Sequence, residues 1–145
     1  MPEWSFVFVG NPDEDFEKSS LRQQSNVFFL GQKPESLLPD YLAAFDVAIN
    51  PQKINDYTIG NYPRKIDEYL ALGKPVVATA TATMEVFGHV TYLGKNVEDY
   101  KHFIQKAIDE DNAERQQQRI AFAGTHTWEN SVGRIYSAIA SAGHK

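Results

Sequence analysis

The stretch from Asn50 to Thr79, NPQKINDYTIGNYPRKIDEYLALGKPVVAT, decides the fold. It opens on the end of an apolar run, Asp46 to Asn50 (DVAIN), which Pro51 stops. A polar loop containing Gly60 follows. A helix is then predicted from Pro63 to Leu72, capped at Asn61 or Tyr62 and closed by Gly73, because glycine favours the backbone turn that ends helices. A second apolar run, Pro75 to Thr79 (PVVAT), comes directly after. Ile66, Tyr69 and Leu70 recur at helical spacing and can turn toward a sheet. Strand, helix and strand in this order predict a parallel pair joined by a helical crossover.

The same alternation extends outward. Trp4 to Val9 reads as a strand ended by Gly10-Asn11-Pro12, Asn26 to Leu30 (NVFFL) as another ended by Gly31, and His89 to Leu93 (HVTYL) as a weaker one. Continuous apolar runs of this length fit strands buried on both faces. Pro34 to Phe45 carries Leu37, Leu38, Tyr41, Leu42 and Phe45 on one side of a predicted helix. Asn96 is placed to cap Val97 to Glu110, where Val97, Tyr100, Phe103, Ile104, Ala107 and Ile108 form an apolar stripe, and a polar helix from Asn112 to Ala123 ends at Gly124. Thr127 caps a last helix with a stripe of Trp128, Val132, Ile135, Tyr136 and Ile139, expected to pack in the core or at a domain edge. The expected fold is α/β, a Rossmann-like three-layer domain with a parallel sheet. Little precedes the first strand, and Asn11 to Ser25 is acidic and weakly helical, so the domain reads as lacking its first β-α unit. The strand edge so exposed, with Trp4, Phe6 and Phe8 alternating, predicts self-association of the fragment. In such sheets ligands meet the carboxyl ends of the strands, here residues 10–15, 31–34, 50–64 and 79–83.

Composition narrows the chemistry. The 145 residues suit one domain, and 42% hydrophobic with 23% charged residues is a globular balance. With no cysteine, disulfides, zinc-thiolate sites and thiol nucleophiles are excluded. A net charge of -5 argues against a nucleic-acid partner, while leaving room for a small anion at a local basic cluster. Uncharged stretches such as Pro75 to Met84 are too short to span a bilayer, no signal peptide is visible, and a cytoplasmic location is expected. The two common glycine-rich phosphate fingerprints are absent. His89, His102, His126 and His144 are scattered without metal-ligand spacing, and each is most simply a surface or helix-end residue.

The start of the Pro63 helix is where chemistry concentrates. Unpaired N–H groups and the positive helix end favour an anion, and Arg64 and Lys65 add charge there. Glu68 shares a face with Lys65 and lies ~7 Å along the axis from the helix start. That is about the separation of a ribose diol from its diphosphate, and a carboxylate accepts two hydroxyl hydrogen bonds well. A nucleoside diphosphate fits this pattern. A solvated helix with an i,i+3 ion pair between Lys65 and Glu68 fits it equally.

Pro63 to Val77 (PRKIDEYLALGKPVV) resembles the signature P-x-K-x-x-E-Y-L-A-x-G-K-P-V-V of nucleotide-sugar-dependent glycosyltransferases, the retaining enzymes with two Rossmann-like domains (GT-B; glycosyl transferases group 1). Phe6 to Gly10 (FVFVG), Asn26 to Gly31 (NVFFLG), Tyr41 to Pro51 (YLAAFDVAINP) and Thr127-Trp128 resemble further segments in the family's order. The likeness covers nearly the whole chain and only the C-terminal domain of such enzymes. It implies that residues 1–145 are a donor-nucleotide-binding domain, with the N-terminal acceptor domain missing. The implied reaction moves a sugar from a nucleoside diphosphate sugar to an acceptor hydroxyl, in cell-surface polysaccharide biosynthesis. The fragment alone is expected to be inactive.

By the resemblance, Glu68 corresponds to the carboxylate that holds the donor ribose. Gly60, Asn61, Arg64 and Lys65 fall where the family's loop and helix start meet the diphosphate. Gln32 and Lys33 fall beside the nucleotide base, although a plain turn between strand and helix is the simpler account of those two. Many members carry a second glutamate eight positions before the first, where Gly60 stands. The family needs no cofactor or divalent metal beyond its donor, and peripheral membrane association of the parent is compatible with it. A different class, a non-catalytic flavodoxin-like phosphoacceptor module, would use Asp13, Asp15, Thr79 and Lys95. It requires an aspartate at the end of the third strand, where Asn50-Pro51 stands. A nucleotide-sugar epimerase half would require more histidine and acid in the cleft.

Overall fold

The computed structural model describes residues 2–56 and 58–142, and the Asp15 side chain and His144 lie outside what it describes. The chain forms two compact units, Met1–Tyr41 and Leu42–Lys145. All strands are parallel, as the alternation predicts, and they pair as two sheets, one in each unit.

In the first unit β1 (Phe6–Phe8) pairs with β2 (Val27–Phe29) in the register Phe6↔Val27. The ladder continues past the strand ends through Leu30 N–H to Phe8 O at 2.9 Å and Gly10 N–H to Gly31 O at 3.0 Å. A short helix, α1 (Glu14–Glu17), is capped by the Asp13 carboxylate, which accepts from Phe16 N–H at 2.7 Å. The Phe16 ring meets Phe8 and Phe29, with centroids 5.0 and 5.7 Å away. These two strands are not buried on both faces: β1 is half-buried throughout and Phe28 is 45% exposed. Phe8 and Phe29 share the aromatic cover of Phe16, whereas Phe28 points to the opposite side of the pleat.

The helix expected over Pro34 to Phe45 begins later. Glu35–Leu37 is a 3-10 turn and only Leu38–Ala43 is α-helical (α2). Pro39 explains the boundary, since its missing N–H is harmless only in a helix's first turn.

In the second unit β3 (Ala48–Asn50), β4 (Val76–Thr79) and β5 (Tyr92–Gly94) lie in that order. The central β4 is the strand buried on both faces. Val76 and Ala78 share a core with Ile66 and Leu70 of α3 (Arg64–Ala71), Ala123 of α5 (Ala113–Gly124), and Met84 and Phe87 of the 3-10 segment Ala82–Phe87. The opposite face, carrying Val77 and Thr79, meets α4 (Val97–Glu110), whose buried residues are Ile104 and Ala107. Helices on both faces of a parallel sheet give the three-layer, Rossmann-like arrangement. The Asn96 cap stands where predicted, accepting from Asp99 N–H at 2.9 Å; Asn112, read as the first residue of the next helix, caps it instead, accepting from Arg115 N–H at 3.0 Å.

Three expectations need correction. The fifth strand lies later than His89–Leu93, because the Thr91 N–H and hydroxyl both bond Phe87 O at 2.9 Å and keep that stretch in a turn. On α4, Val97 and Ile108 fall outside the buried stripe. The stripe on α6 (Trp128–Ala142) is not core: Trp128 is 79% and Tyr136 70% exposed, because α3, α4 and α5 already close the second unit's core. No helix among the described residues is long and apolar enough to cross a membrane.

Candidate functional site

The loop from residue 51 to 63 leaves the carboxyl end of β3 and is held at its base by an ordered hydroxyl chain. Gln52 N–H donates to Thr79 Oγ1 at 2.8 Å, and the Tyr100 hydroxyl donates to Asn50 O at 3.2 Å. Thr79 and Tyr100 hydroxyls are 2.9 Å apart. Since Tyr100 spends its only proton on Asn50, Thr79 must be the donor between them. Burial is the main cause that raises the Tyr100 hydroxyl above the usual tyrosine range, which keeps it protonated for this role. Gly94 permits the arrangement: a Cβ there would stand 2.9 Å from the Tyr100 ring. Further along, Gln52 Nε2 donates to Thr58 O at 2.8 Å, and Thr83 Oγ1 donates to Asn61 O at 3.1 Å.

The loop delivers the chain to α3 without a side-chain cap. Pro63, not Asn61 or Tyr62, occupies the cap position, and no side chain bonds the helix's first amides. Ile66 N–H bonds Pro63 O at 2.8 Å and Arg64 N–H bonds Tyr62 O at 3.1 Å, whereas the Lys65 amide has no acceptor among the described residues. Tyr62 is engaged elsewhere. Its hydroxyl donates to Asp67 Oδ2 at 2.7 Å, and His126 Nδ1 donates to Asp67 Oδ1 at 2.9 Å. Burial first, then the hydrogen bond to Asp67 and that residue's charge, push the Tyr62 hydroxyl well above the usual range, with Arg134 opposing them.

Of the residues singled out in the sequence, Gly60, Asn61, Arg64, Lys65 and Glu68 fall together on one loop and helix start in the second unit. All are exposed. Arg64, Lys65 and Glu68 make no side-chain hydrogen bond or ion pair among the described residues, so the i,i+3 pair expected of a merely solvated helix is not formed. A Cβ on Gly60 would meet nothing within 4 Å. Gln32 and Lys33 belong to the first unit, after β2: Gln32 Oε1 accepts from Asn11 Nδ2 at 3.1 Å, and the Lys33 ammonium lies 5.6 Å from the Tyr41 ring centroid. Of the phosphoacceptor set, Asp13 caps α1 and Thr79 belongs to the hydroxyl chain. The described residues hold no group of three or more acids and histidines arranged for a metal.

His126 is the residue that sequence reasoning missed. Its carboxylate partner is 59 positions away, so no local motif announces the pair. The only available signal was its place just before the Thr127 cap, where a fold brings it back over α3.

Comparison with known proteins adds two findings. Residues 1–110 match the family described as Glycosyl transferases group 1. Over 82 residues the chain is 37% identical to the Bacillus subtilis (strain 168) protein named "Putative teichuronic acid biosynthesis glycosyltransferase TuaH". That match covers 54% of this chain and 20% of the relative, so the likeness spans about a fifth of that protein's length.

Proposed function

Because the chain belongs to the glycosyl transferases group 1 family, we propose that it is the donor-binding domain of a glycosyltransferase that takes a nucleoside diphosphate sugar. The diphosphate sits at the start of α3. There, among the described residues, the Lys65 amide lacks an acceptor and the Arg64 and Lys65 side chains have no partner, so an anion finds a partial helix charge and two side-chain cations in one place. Asn61 and Gly60 form the approach. Glu68 accepts from the ribose hydroxyls. During transfer, charge gathers on the departing diphosphate as the bond to the sugar breaks, and cations already in place stabilise it. An acceptor domain supplies the hydroxyl, so residues 1–145 alone bind donor and transfer nothing. The relative's name supports a cell-surface polysaccharide as product, and synthesis from nucleotide sugars suits a cytoplasmic face.

The observation that carries this reading is the trio Arg64, Lys65 and Glu68 on one exposed helix start, whose side chains have no partner among the described residues. Calorimetric titration of uridine, guanosine and adenosine diphosphates into the complete protein tests it, using wild type and Glu68→Gln. Loss of a charged acceptor costs about 1.5–3 kcal/mol, a ten- to hundredfold weaker Kd. Thermal stability should stay within about 0.5 kcal/mol, as for an exposed side chain without partners. Equal affinities for both proteins refute the ribose role.

A further inference from the structure

Tyr62 and Asp67 bracket Pro63, Arg64 and Lys65, the residues that begin α3. With no side-chain cap at Pro63, no capping side chain fixes the angle at which the loop enters the helix. That work falls to the Asp67 carboxylate. One oxygen receives the Tyr62 hydroxyl at 2.7 Å and the other the His126 ring at 2.9 Å. The His126 ring is seated edge-on between Phe122 and Phe87, with centroids 4.4 and 5.7 Å away. Phe87 is wholly buried, and the Tyr62 ring leans on it at 5.6 Å. The carboxylate is thus bonded on both oxygens by groups that rest on one rigid aromatic block. Thr83, which holds Asn61 O, is on the same 3-10 segment as Phe87.

We propose that Tyr62, Asp67 and His126 form a positioning triad that sets the Asn61–Lys65 turn for the donor diphosphate. None of the three touches ligand; His126 and Tyr62 act through Asp67, and Asp67 through the helix start. The proposal rests on the donor reading above. It adds that diphosphate affinity depends on a histidine far away in sequence, on the segment joining α5 to α6.

The test is titration of uridine, guanosine and adenosine diphosphates into the complete protein, with wild type, Tyr62→Phe, His126→Phe and His126→Asn. Tyr62→Phe keeps the ring against Phe87 and deletes only the hydroxyl. His126→Phe keeps the aromatic packing and deletes the donor. Asparagine offers an N–H at the same distance along the side chain as Nδ1. We expect about tenfold weaker binding for each phenylalanine variant and recovery to within about twofold of wild type for His126→Asn. That recovery separates positioning from bulk packing, because asparagine fills the aromatic seat less well than phenylalanine. In wild type, the His126 ring nitrogen signals should shift when the diphosphate is added. Unchanged affinity in Tyr62→Phe and His126→Phe, with wild type binding, overturns the triad and leaves the donor site standing. Absence of binding by wild type to all three diphosphates overturns both. If His126→Phe does not fold, Tyr62→Phe, altered at a half-exposed position, decides alone.

Discussion

Arg119 sits in a run, AERQQQRIAFAG, that reads as a solvated helix, yet its side chain is only 4% exposed. Its Nε donates to Gly73 O at 2.8 Å, and its terminal nitrogen bonds Asp111. Gly73 closes α3 with φ at +70°, a left-handed turn that a residue with a Cβ enters only at a cost. The guanidinium therefore pins the turn between α3 and β4. Arg119→Met retains the apolar stem and removes both bonds. The buried Gly73 carbonyl then loses its partner, costing about 1–3 kcal/mol. Asp111 is 24% exposed and regains water, so its loss adds only about 1 kcal/mol. The sum, about 2–4 kcal/mol, corresponds to a fall in Tm of about 6–12 °C in a chain of this size. Urea unfolding followed by far-ultraviolet circular dichroism measures it, with Asp111→Asn as the smaller control at about 1 kcal/mol. A loss below 1 kcal/mol for Arg119→Met, or a gain, would show that the guanidinium does not hold the turn. It would mean that desolvating the guanidinium cancels its bonds.

Two further expectations follow from the site's supports. Gly94→Ala places a Cβ 2.9 Å from Tyr100 Cδ2 and 3.3 Å from Asp99 Cβ; displacing the ring should cost about 1–3 kcal/mol, read as a lower Tm, and an unchanged Tm would show that the ring gives way freely. Burial is the largest cause raising the hydroxyls of Tyr62, Tyr69, Tyr92 and Tyr100 above their ordinary value. Because the fold favours the protonated phenol, this stability is complete below the unfolded value of about 10 and is lost as pH rises through the folded values. Ultraviolet titration should find these phenols ionising only as circular dichroism reports unfolding; full ionisation near the ordinary value with structure intact would contradict it.

What the sequence revealed and what it hid divide along a physical line. Arg64, Lys65 and Glu68 were legible because a helix start brings them together locally, whatever the rest of the fold does. The strands ending at Asn50 and Thr79 were legible because unbroken apolar runs ended by proline or polar residues have few other uses. Contacts made across the fold left no local trace. His126 finds Asp67, and Arg119 finds the Gly73 carbonyl, only after the chain has folded. The α6 stripe shows the reverse failure: helical spacing of apolar residues marks a face, and says nothing about whether anything covers it. At Thr91 a residue suited to a strand was taken by a hydroxyl bond to the preceding turn, a competition between local and ladder bonding that periodicity does not register.

Gly60 lies on the loop leading to α3, with an ordinary negative-φ backbone, and a Cβ there would meet nothing within 4 Å among the described residues. Neither crowding nor backbone strain forces glycine there. The space around that Cβ sets no requirement for glycine, so on the donor reading proposed above the residue's identity can answer to the ligand. On that reading a library varied at residue 60 would sample donor preference with few folding casualties, and position 60 would be a dial on specificity that the scaffold leaves unlocked.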